Sequence, residues 1–87
     1  DCNPGSSYIY SMPVVLSLAV REMNLTPAQA FYAATMGGAM ALQRNDVGHL
    51  KIGAKADLVI WDAPSYLHIS YRMGEITTQT IGGDERI

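Results

Sequence analysis

The sequence predicts an α/β fold, with helices first and strands after. Two observations carry this. Residues 12–43 place apolar side chains at helical spacing, whereas from Leu50 onward apolar and polar residues alternate with a period of two. The period changes near Gln43–Gly48, where Asn45-Asp46 and Gly48 supply turn chemistry. That change divides the chain into residues 1–46 and residues 47–87.

Each element follows from its residues. Residues 1–10 read as a loop, because Asn3-Pro4-Gly5-Ser6-Ser7 combines a fixed φ, a glycine free to take positive φ, and side chains that bond their own backbone. Such a loop can also offer backbone N–H groups to a ligand. A helix is predicted over about 12–23, since Met12, Val15, Leu16, Ala19, Val20 and Met23 share one face. Ser11 can cap it and Pro13 suits its first turn. Ser17, Arg21 and Glu22 are expected to point outward. Thr26, Pro27 and Gln29 then form a helix-start signature of the capping-box type. The helical segment that follows is apolar on nearly all sides and rich in alanine, so it is expected to be buried and closely packed. Gly37-Gly38 is expected to split it into helices at about 27–35 and 37–43.

Beyond residue 47, Gly53-Ala54-Lys55 reads as a turn, and Ala56–Asp62 as a short strand of branched and aromatic residues halted by Pro64. Residues 65–74 are predicted to be a loop with a short extended piece. Residues 75–87 read as a strand, a turn at Gly82-Gly83, and the start of another strand.

Eighty-seven residues allow one small domain with a marginal core. The net charge of −2, with no Lys/Arg block, gives nucleic-acid or anionic-membrane binding little support. No apolar run approaches the about 20 residues a membrane helix needs. A single cysteine, Cys2, cannot form an internal disulfide, which favours a reducing compartment. A cytoplasmic location is therefore expected. A chain that begins with Asp1 rather than Met is expected to be the tail of something longer, or a trimmed piece of it.

Taken singly, the chemistry-bearing residues stay open to two readings. Asp1 is either a solvated terminal residue or a functional carboxylate, and Asn3, Gly5 and Ser6 are either turn formers or ligand contacts. His49 and His68 lack metal-ligand spacing and read as surface or satisfied core residues. Ser6 and Ser7 lack a nucleophile-elbow context, and Cys2 has no CxxC partner. The methionines at 12, 23, 36 and 40 read as packing.

Two stretches carry a resemblance. Residues 47–66, with Gly48, Leu50, Gly53, Ala56, Asp57, Leu58, Val59 and Asp62 in place, resemble the passage in which amidohydrolase-superfamily enzymes leave a (β/α)8 barrel and complete a small β-sandwich. Residues 1–19, with Asp1, Asn3, Pro4, Gly5 and Ser6 before Met12-Pro13, narrow the resemblance to the imidazolonepropionase family. The runs Leu25–Thr35 and Ile69–Gly74 also fit that family.

The resemblance implies the last βα elements of such a barrel followed by part of the sandwich. It implies hydrolysis of 4-imidazolone-5-propanoate to N-formimidoyl-L-glutamate, in histidine degradation, by a homodimer. Asp1 then corresponds to a carboxylate at the end of the last barrel strand that ligates Zn or Fe and handles the proton of the metal-bound water. Asn3, Gly5 and Ser6 correspond to residues that contact substrate or product. Strand ends on the C-terminal side are where such barrels hold their sites, and a bound cation makes hydroxide available near neutral pH.

The family's paired metal histidines have no counterpart among these residues, and charged residues fall in Ile81–Ile87 where a strand is expected. The 87 residues alone are therefore expected to be inactive, with apolar helix faces exposed. Two alternatives remain at this point. One is another amidohydrolase-type hydrolase or deaminase; the other is a self-associating module without chemistry.

Overall fold

The computed structural model describes residues 11–71, 78–82 and 85–87. The first helix, α1, runs Met12–Glu22, as the apolar spacing predicts, with Pro13 in its first turn. Asn24 takes the left-handed conformation (φ 60), and the Leu25 N–H donates to the Ala19 carbonyl at 3.2 Å. This turns the chain without a glycine, a conformation asparagine tolerates better than most residues.

The start of α2 (Pro27–Tyr32) is the predicted capping box. Thr26 Oγ1 accepts from the Gln29 N–H at 3.1 Å, and Gln29 Oε1 accepts from the Thr26 N–H at 2.9 Å. Two backbone donors that a helix start leaves unpaired are thereby satisfied.

The expected break at Gly37-Gly38 is corrected. The backbone passes from α2 through a π-helical turn, Ala33–Gly37, into α3 (Gly38–Ala41). Both glycines keep right-handed helical angles, Gly37 at φ −60 and Gly38 at φ −63. The glycines loosen the helix into a wider turn instead of ending it. The helix ends later, at Gln43 (φ 56), where the Gln43 N–H donates to Met40 O at 3.0 Å and the Arg44 N–H to Ala39 O at 2.9 Å. These two bonds form a Schellman closure.

In the second half, β1 (Leu58–Trp61) and β2 (Thr78–Ile81) pair antiparallel, with Leu58 opposite Ile81 and Trp61 opposite Thr78. Arg86 makes a separate antiparallel bridge with Lys55. It is flanked by bonds from Gly53 N to Ile87 O and from Ile87 N to Ala54 O, each 2.9 Å. Pairing therefore does continue past Gly82, as one bridge and not a strand; the other residue of the predicted turn, Gly83, lies outside the described residues. Between the strands, Ser65 is extended and a 3-10 turn, Tyr66–His68, follows it within the expected loop; residues 72–74 of that predicted segment lie outside the described residues. The Tyr66 ring meets Phe31 of α2 edge-on at 5.8 Å, which turns this segment back onto the helices.

The core joins these parts. Leu16, Ala30 and Ile69 form a buried cluster, with Val20, Phe31 and Trp61 packed against it. Leu16 and Ile69 are the only side chains larger than alanine among its buried hydrophobics in the described residues. The expected faces of α1 need correction too. Ser17 is fully buried, whereas Met12, Val15 and Met23 are exposed. The apolar stripe is wider than the surface that α2 and the 3-10 turn cover, so one flank of it faces out. Further along, Tyr32, Met40 and Leu42 are exposed, and Ile52 is 96% exposed. Exposure of apolar helix side chains is thus present as expected, while full burial of the second helical segment is not.

Candidate functional site

The candidate site residues Asp1, Asn3, Gly5 and Ser6 lie outside the described residues, as do Cys2 and Ser7. What the structure does describe is an open groove of about 1020 Å³ that begins at Ser11. Its walls come from the start of α1 (Met12, Pro13, Leu16), from Phe31, Ala34 and Thr35, from the loop Val47–Leu50, and from one face of the β1–β2 pair. That sheet face presents Val59, Trp61, Thr78 and Thr80 because residues two apart in a strand point the same way. The volume lies at the upper end of what small-molecule sites show, roughly 300–1,000 Å³.

The loop wall is held by two devices. Gly48 sits at φ +83, and a Cβ built on it would lie 2.8 Å from the Thr35 carbonyl oxygen and 3.1 Å from Ala39 Cβ. Only glycine lets the loop approach the π-turn this closely. His49 forms the second device. Its Nε2 lies 2.8 Å from the Asn45 carbonyl oxygen, and its Nδ1 accepts from the Lys51 N–H at 3.3 Å. A carbonyl opposite Nε2 and an N–H opposite Nδ1 together match a ring that donates from Nε2 and accepts at Nδ1. His49 is therefore the satisfied, half-buried histidine that its spacing predicts. His68 sits exposed in the 3-10 turn.

Two charged groups beside the loop, Arg44 and Asp46, are paired. Arg44 donates to Asp46 through Nε at 3.0 Å and Nη2 at 2.8 Å, a bidentate geometry. The guanidinium lowers the Asp46 carboxyl below its ordinary value of 3.8, and Asp46 raises the Arg44 guanidinium. Arg21, which does not line the groove, donates through Nη2 to the Tyr71 carbonyl at 3.1 Å.

Among the described residues no three His, Cys, Asp or Glu side chains converge on a position that could hold a metal ion. Lys55, Asp57 and His49 line the groove, yet His49 has both ring nitrogens engaged. The described residues thus shape an apolar-walled groove with a polar strip. Sequence reasoning missed this groove because its walls come from segments far apart in the chain. The one local signal was Gly48 within a turn-forming run. Among the described residues no helix is long and apolar enough to cross a membrane.

Comparison with known proteins adds what the geometry leaves open. The sequence profile of the amidohydrolase family matches residues 4–85. The chain is similar to an imidazolonepropionase of Mycolicibacterium smegmatis, at 61% identity over 74 residues, 85% of this chain and 19% of that protein. It is similar to one of Salinispora arenicola at 64% identity over 74 residues, again 85% of this chain and 19% of that protein. It is also similar to one of Rhodococcus jostii at 60% over the same length, 85% of this chain and 18% of that protein. The chain therefore spans about a fifth of the length of these curated relatives. No solved structure matches the chain significantly.

Proposed function

The chain belongs to the amidohydrolase family, and on that premise we propose that the protein carrying it is a hydrolase that opens the ring of 4-imidazolone-5-propanoate to N-formimidoyl-L-glutamate. The observation that carries this reading is the identity of 60–64% with proteins named imidazolonepropionase. In this reading residues 1–46 supply the last βα elements of a (β/α)8 barrel, and residues 47–87 supply strands of the β-sandwich.

The reaction adds one water across an amide-type C–N bond. The water oxygen bonds to the ring carbonyl carbon, the ring C–N bond breaks, and the departing nitrogen takes up a proton. From this chain, Asn3, Gly5 and Ser6 bind and orient the substrate: two polar side chains and a backbone N–H suit its carboxylate or ring amide. Asp1 accepts a proton from the attacking water at its carboxylate and serves as one ligand of a divalent ion, Zn or Fe. The described residues do not form a metal centre of their own. With a single ligand assigned to it, the 87-residue chain alone is inactive. The full-length protein is a cytoplasmic homodimer in this reading.

The test is direct. The protein carrying this chain is incubated with 4-imidazolone-5-propanoate and with a panel of other cyclic amides and amino-purines, and products are followed by mass spectrometry. The reading expects a product heavier by one water from the imidazolone alone. Turnover of another panel member in its place would assign a different amidohydrolase activity.

A further inference from the structure

We draw no further inference here: the strongest candidate, the open apolar groove between α1, α2 and the β1–β2 pair with Met12, Phe31, Val59 and Trp61 in its walls, carries no proposal because nothing in the structure shows what covers it.

Discussion

Replacing Gly48 with alanine tests how the loop wall is held against the helices. The backbone there has φ +83, and the new Cβ would stand 2.8 Å from the Thr35 carbonyl oxygen and 3.1 Å from Ala39 Cβ. A left-handed conformation costs a non-glycine residue about 1–2 kcal/mol. Forcing a methyl group into a filled contact adds about 1–3 kcal/mol. Against these stands a gain of roughly 0.4–1 kcal/mol from restricting the unfolded chain. The net loss is then about 1–4.5 kcal/mol.

Gly53 provides the internal control. It has φ +91 but nothing within 4 Å of its built Cβ. Gly53→Ala keeps the conformational cost and lacks the contact, so its net loss is about 0–1.5 kcal/mol. Urea denaturation of both variants and the parent gives the difference directly. Equal losses at the two positions would refute the close approach of the loop to the π-turn.

Three further outcomes are expected. Thr26→Ala removes one half of the capping box and should lower stability by about 0.5–2 kcal/mol by urea denaturation. Ser17→Ala should be neutral or stabilising by up to about 1 kcal/mol on thermal melting, because Ser17 Oγ is fully buried and has no hydrogen-bond partner among the described residues. Asp46→Asn should lower stability slightly above pH 3.8, the ordinary carboxyl value. The folded state holds this carboxyl below that value, so its contribution is present above it and fades as pH falls through the lower folded value. Parent and variant melting curves should converge in strong acid, and the gap should shrink with added salt.

How much of this was legible in the sequence varies by element, for physical reasons. The start of α2 could be read closely because Thr26, Pro27 and Gln29 act through local backbone geometry. The extent of α1 followed from apolar spacing, and so did the middle of its buried face at Leu16, Ala19 and Val20, but not the edges of that face. Apolar spacing marks which side chains favour burial, while packing decides which are covered, so Ser17 went in and Met12 stayed out. At Gly37-Gly38, low helix propensity was outweighed by continuity of the helical backbone, which absorbed the glycines as a π-turn. The 3-10 turn at Tyr66–His68 depends on Tyr66 reaching Phe31, a contact between residues 35 positions apart that no local pattern records. The groove has the same character: Thr35 and Gly48 meet only in the fold. For Asp1, Asn3, Gly5 and Ser6 the motif, not the geometry, carries the assignment.

The most direct measurement of the central claim pairs turnover with metal content in the parent protein and in Asp1→Asn. The account predicts that the unsubstituted full-length protein carrying this chain hydrolyses 4-imidazolone-5-propanoate and binds a divalent metal. It predicts that the variant loses both hydrolysis and most of the metal while keeping the parent's melting behaviour once metal is stripped from each. An Asp1→Asn protein that retains parental turnover and parental metal content would contradict it.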